Sequence, residues 1–180
     1  LIDMQAAHRR EFTYSHGTVE EGIRKTVAVI AEARSLGIPV LLVHGEGHQE
    51  IIGEILEAAG EYGKIFEKRM HSAFSSLDLL YFLNEVARID TLIVGGWARN
   101  ICVRDTVMDA LGDNYSIMTT DQLIFGKHSS DEPMLDETYL RGFSDQLFIY
   151  RTSEDMTAAM RKTKLETDSL KRSRNGPGGI

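Results

Sequence analysis

Apolar residues in this chain keep two rhythms. Short runs, IPVLLVH (38–44), DTLIVGG (90–96), YSIMTT (115–120) and QLFIY (146–150), alternate with longer stretches whose apolar positions return every three or four residues. The runs are too short for helices, and the first two are closed by glycine, so they predict strands buried on both faces. TVEEGIRKTVAVIAEARSLGIP (18–39) shows the other rhythm. Thr18 and Glu21 have the spacing of a capping box, Ile23, Val27 and Ile30 mark one helical face, and Gly37 with Pro39 stops the helix. Further helices are predicted in QEIIGEILEAAG (49–60), LDLLYFLNEVA (77–87, capped by Ser75 or Ser76), CVRDTVMDAL (102–111), PMLDETYLRGF (133–143) and SEDMTAAMRK (153–162). KIFEK (64–68) reads as a short strand, and LIDM (1–4) as the end of a buried strand whose upstream half lies outside this numbering.

The alternation of strand and helix, with no linker and no internal repeat, predicts one α/β domain over residues 1–162 with a mainly parallel sheet. A basic, exposed tail is expected over 163–180, frayed at its NGPGGI end. In an open parallel sheet, ligands gather beyond the carboxyl ends of the strands. Asp3 closes the first strand, Lys68 closes KIFEK, and Cys102 follows TLIVGG at the opening of a helix.

Composition narrows the function classes. Hydrophobic residues make up 42% and charged residues 26%, a balance that argues against disorder. No run approaches the roughly 18–20 apolar residues that cross a bilayer, and LIDMQAAHRREF lacks a basic segment followed by a long apolar one. A cytoplasmic enzyme or binding protein with no membrane partner is therefore expected. The formal charge is −7, although residues 161–180 hold six Lys and Arg against two acids. The remaining body is more acidic still and repels phosphates, so no nucleic-acid partner is expected, and the tail reads as a solvated or partner-contacting terminus.

The stretch VGGWARNICVRDTVMDA (94–110) holds the single cysteine, which cannot form an internal disulfide. A free cysteine is ordinarily a small buried hydrophobe. Near a helix N-terminus, however, the macrodipole and unpaired backbone N–H groups favour thiolate. Asp3 adds a second anomaly, because a carboxylate at an apolar strand end is costly without a partner. Lys68 is either that partner or a surface charge.

Three motifs in order give these residues a context. IDMQ, KRMHSAF and GGWARNICV resemble, respectively, the Asp element, the Lys followed four residues later by Ser-Ala-Phe, and the nucleophile loop of the isochorismatase-like cysteine hydrolases. That superfamily includes nicotinamidases and N-carbamoylsarcosine amidases, and the resemblance covers nearly all of the first 150 residues. It implies a three-layer α/β/α sandwich around a mainly parallel, six-stranded, Rossmann-like sheet. It also implies catalytic roles for Asp3, Lys68 and Cys102, a cis Trp97–Ala98 peptide, and an oxyanion hole from the backbone N–H groups of Ala98 and Cys102. The implied partner is a small-molecule amide or carbamoyl substrate, and the implied assembly is a homo-oligomer, dimer or tetramer.

The chain also departs from the family pattern. Arg99 stands where Thr or Ser is common, and it is expected either to clamp a substrate carboxylate or to point to solvent or a neighbouring subunit. Trp97 either walls the pocket or packs. His44, Glu46 and His48 in HGEGH have spacing that could suit a metal, but the Asp-x-His element of metal-bearing relatives is missing. No metal and no other cofactor are therefore expected. Three functions remain open at this point: a thiol-dependent amide hydrolase, an enol-ether hydrolase that does not need the thiol, and a catalytically silent ligand-binding or scaffold protein.

Overall fold

In the computed structural model, which describes residues 1–47, 50–126 and 141–174, α1 (Val19–Ser35) starts at the expected cap. Thr18 Oγ1 accepts from the Glu21 N–H at 3.2 Å, and the Thr18 N–H donates to Glu21 Oε2 at 2.7 Å. Both otherwise unpaired donors of the first turn are thereby satisfied reciprocally. The helix ends at Gly37, whose φ of 67° turns the chain into β1 (Val40–Gly45).

Beside β1 runs β2 (Gly63–Lys68), parallel, in a register that places Gly45 opposite Lys68. The intervening helix α2 covers only Gly53–Ala59, shorter than its periodicity predicts. The cause is tertiary: the Ile52 N–H donates to the Met4 carbonyl at 2.9 Å, and the Glu50 carbonyl accepts from the Ala6 N–H at 2.7 Å. Those backbone groups hold the 50–52 stretch to the segment after Asp3 and are not free to extend the helix.

After β2 come α3 (Leu77–Tyr81), capped by Ser76 and continued by a π turn at Phe82–Ala87, then β3 (Thr91–Ile93) and β4 (Gly96–Trp97). A second π turn, Arg99–Val103, leads into α4 (Arg104–Gly112). The chain closes with β5 (Ser116–Thr120), the unforeseen two-residue β6 (Ile124–Phe125), β7 (Leu147–Tyr150) and α5 (Ser153–Arg174). The helix predicted at 133–143 lies largely outside the described residues, which show a 3-10 turn at Arg141–Phe143. Residues 163–174, expected as tail, continue α5; 175–180 lie outside the described residues.

All pairings between these strands are parallel. They form ladders β1–β2, β3–β5–β7 and β4–β6, not one continuous six-stranded ladder. Ile2 joins them. It bridges Val43 on one side and Gly96 on the other, so the strand expected at LIDM is reduced to one bridging residue. Gly96 has a φ of 130°, and a Cβ there would collide with the Ile2 carbonyl, so only glycine lets the chain ahead of Cys102 pass this close.

The α/β/α layering follows from strand alternation. Val40 and Leu42 face a core shared with α1, α2 and α5, while Leu41 and Val43 face one shared with α3 and α4. Leu42 is 2% exposed, and burial of such a side chain is worth about 1.5–3 kcal/mol. Upstream of Ile2, β1 and β3 flank an apolar cavity of about 200 Å³ that reaches both helical layers, touching Ile30 of α1 and Leu79 of α3. Asp3, Lys68 and Cys102 do not line it. No helix among the described residues is long and apolar enough to cross a membrane.

Candidate active site

Three segments distant in sequence converge beyond the carboxyl ends of the strands. Asp3 follows the Ile2 bridge, and its N–H donates to the Val43 carbonyl at 2.8 Å. Its φ is 50°, a left-handed conformation that aspartate tolerates better than most residues. Lys68 is the last residue of β2, and Cys102 lies in the π turn between β4 and α4. Asp3 and Lys68 are each 4% exposed and Cys102 is 9% exposed.

Lys68 organises the site. An ammonium has three N–H donors, and Lys68 Nζ meets three acceptors: Asp3 Oδ2 at 3.0 Å, the Met70 carbonyl at 3.0 Å and Cys102 Sγ at 3.5 Å. The surface-charge reading of Lys68 is thereby excluded. Asp3 Oδ1 is buried and without a hydrogen-bond partner among the described residues. Burying such an atom costs free energy.

The thiol is held neutral. Burial pushes the Cys102 thiol above its ordinary value, and Asp3 pushes the same way, as hydrogen-bond acceptor and as negative charge. Lys68 and the Ala98 backbone N–H oppose them by favouring thiolate. Removing the carboxylate charge therefore leaves only burial against two thiolate-stabilising groups. Asp3→Asn is expected to move the thiol titration, followed by thiolate absorbance at 240 nm, to lower pH than in the wild type. A titration that stayed in place or moved upward would show that Asp3 does not act on the sulfur.

The loop that carries Cys102 is braced from behind. The Trp97–Ala98 peptide is cis. The Trp97 ring is 8% exposed, stacks on His8 with centroids 4.5 Å apart, and donates through Nε1 to the Gly126 carbonyl at 3.2 Å. Arg99 does not point to solvent. It is 7% exposed, and its guanidinium donates to Asp121 Oδ1 at 3.0 Å, to Ser15 Oγ at 3.3 Å and to the Ile124 carbonyl at 3.3 Å. It ties the loop to the Ser15 and Asp121–Ile124 segments. Of the metal candidates, His44 Nδ1 donates to the Gly45 carbonyl at 2.7 Å, Glu46 pairs with Arg69 at 3.3 Å, and His48 lies outside the described residues. No group of three metal-ligating side chains occurs among the described residues.

Two contributors escaped the sequence reading. Ser75 Oγ accepts from the Arg69 and Met70 N–H groups and donates to the Ser72 carbonyl, which shapes the loop after Lys68. Thr106, on α4, bonds both to that loop and to the cysteine's own backbone. The dense serines of RMHSAFSS were the available signal for the first. A mid-helix threonine offered none for the second.

A family profile described as the isochorismatase domain matches residues 1–122. No curated protein matches the chain by sequence. Among solved structures it is similar to an isochorismatase-like hydrolase from Alkaliphilus metalliredigens, with 25% identity, 89% of this chain and 95% of that one covered, and a TM-score of 0.65. N-carbamoylsarcosine amidase from Thermoplasma acidophilum aligns at 23% identity over 83% of this chain and 92% of its own, with a TM-score of 0.61. MAR1 ribonuclease from Caenorhabditis elegans aligns at 19% identity over 87% and 76%, with a TM-score of 0.68. At 23% and 19% identity, the last two likenesses speak to the fold alone.

Proposed function

The chain belongs to the isochorismatase family, and on that premise we propose that it is a cysteine-dependent hydrolase of a small amide or carbamoyl compound. The observation that carries this reading is the meeting of Lys68 Nζ with both Asp3 Oδ2, at 3.0 Å, and Cys102 Sγ, at 3.5 Å, inside the protein.

The chemistry follows from the charges. Asp3 takes the proton of the Cys102 thiol, and the sulfur attacks the substrate carbonyl carbon. As the C–S bond forms, the carbonyl π pair moves onto oxygen, beside the backbone N–H groups of Ala98 and Cys102; such donors are worth roughly 2.7–4 kcal/mol each. Lys68 offsets the negative charge as it passes between carboxylate and sulfur. The oxyanion then collapses, the C–N bond breaks, and the amine departs with the proton Asp3 had taken. Asp3 next deprotonates a water, which adds to the thioester; the acid leaves, and the thiol regains its proton.

Arg99 enters this scheme as a brace of the nucleophile loop, because three hydrogen bonds tie its guanidinium to Asp121, Ser15 and Ile124. The net charge of −7 weighs against a polyanionic substrate such as RNA.

Intact-protein mass spectrometry after exposure to a panel of small amides tests the reading. An acyl adduct confined to Cys102 is the expected result, and its mass identifies the acyl group. Turnover that survives complete alkylation of the thiol would instead favour enol-ether hydrolysis, in which Asp3 acts as acid. Binding with neither adduct nor turnover would favour a silent ligand-binding protein.

A further inference from the structure

A threonine hydroxyl that donates to the carbonyl four residues earlier in a helix is commonplace, and Thr106 Oγ1 does so to the Cys102 carbonyl at 2.7 Å. What is not commonplace is its second bond. The same oxygen accepts from the backbone N–H of Ala73 at 2.9 Å, across to the loop that follows Lys68, and Thr106 is 4% exposed. That loop is itself tightly bound. Ser75 Oγ donates to the Ser72 carbonyl at 2.8 Å and accepts from the Met70 N–H at 3.1 Å, while the Met70 carbonyl accepts from Lys68 Nζ at 3.0 Å. Lys68 Nζ returns to Cys102 Sγ at 3.5 Å.

These bonds close a ring. It runs from the sulfur through Lys68, Met70, Ser75, Ser72, Ala73 and Thr106 to the Cys102 carbonyl, and so back to the sulfur. We propose that Thr106 is a positioning residue: its hydroxyl locks the loop carrying the ammonium to the turn carrying the sulfur, and so holds the Lys68–Cys102 contact. The proposal rests on the cysteine-hydrolase reading for its catalytic consequence, but not for its effect on the thiol.

Thr106→Val keeps shape and removes the hydroxyl, whereas Thr106→Ser keeps the hydroxyl. Because Lys68 holds the thiol down, slackening the contact moves the thiol titration to higher pH in Thr106→Val, and Thr106→Ser restores it. With a substrate found by the amide panel, kcat falls roughly ten- to a hundredfold in Thr106→Val while KM stays nearly constant, as expected of a small misplacement of reacting groups.

Ala73→Pro attacks the same link from the other side. Ala73 opens a 3-10 turn behind Ser72, whose backbone is already extended at φ −72° and ψ 139°. The backbone at the first position of such a turn admits proline, which deletes the donor; its ring also enters the packed space beside Thr106, so the variant is read only where circular dichroism shows it folded. It is expected to shift the titration in the same direction, and the combination with Thr106→Val to add little further.

A thiol titration unchanged in both variants, whatever their melting temperatures, would reduce Thr106 to a structural residue and overturn the proposal. A shifted titration together with no Cys102 adduct in the wild type would leave the positioning role standing and remove the hydrolase reading instead.

Discussion

Cys102→Ala is expected to bring amide turnover down by about 10⁴-fold or more, to the floor of the assay, while the protein stays folded. The sulfur is the atom that bonds to the substrate in the proposed scheme, and Lys68 Nζ, itself on Asp3 Oδ2, holds it at 3.5 Å. Removing a nucleophile leaves only binding and oxyanion stabilisation, which gives losses of this order. The stability change should be small. Alanine removes one buried atom and leaves the Asp3–Lys68 pair in place, so a loss near 1 kcal/mol is expected, or about 2–4 °C in melting temperature for a chain of this size. Full activity in this variant, measured beside an unchanged circular dichroism spectrum, would sink the nucleophile assignment.

Lys68→Met should cost far more stability. Asp3 and Lys68 are both 4% exposed, and Asp3 Oδ1 already lacks a partner. Taking away the ammonium strands a carboxylate in low dielectric, which destabilises by about 3–5 kcal/mol, on the order of 10 °C in melting temperature. The loss belongs to the uncompensated charge and not to the missing contact. Adding Asp3→Asn removes that charge, so the double variant should melt well above Lys68→Met while remaining inactive. A double variant no more stable than the single one would show that the pair is not electrostatically coupled in the fold.

The reading of elements by periodicity succeeded where local signals and tertiary contacts agree. The Thr18–Glu21 box and the Gly37 stop bound α1 as expected, because a capping box is completed within four residues. It failed where backbone groups found partners far along the chain. The 49–60 helix loses its first turn to Met4 and Ala6, and LIDM contributes a single bridging residue, Ile2, which pairs with both β1 and β4. β6 escaped detection since two residues carry no period.

Arg99 teaches the same lesson at the site. Its neighbours in sequence leave it looking unpaired, while Ser15, Asp121 and Ile124, its partners in space, lie far from it along the chain.

By itself the sequence determined that this is a layered α/β chain with Asp3, Lys68 and Cys102 each at the carboxyl end of a strand, for strand endings follow from the lengths of apolar runs. Only the tertiary structure decided that the three meet, that Lys68 spreads its donors over Asp3, Met70 and Cys102, and that Thr106 spans the two loops. The reason is one of range. Hydrophobic periodicity is written over a few neighbouring residues, whereas the partner of a buried polar group is set by which loops the packed sheet brings side by side.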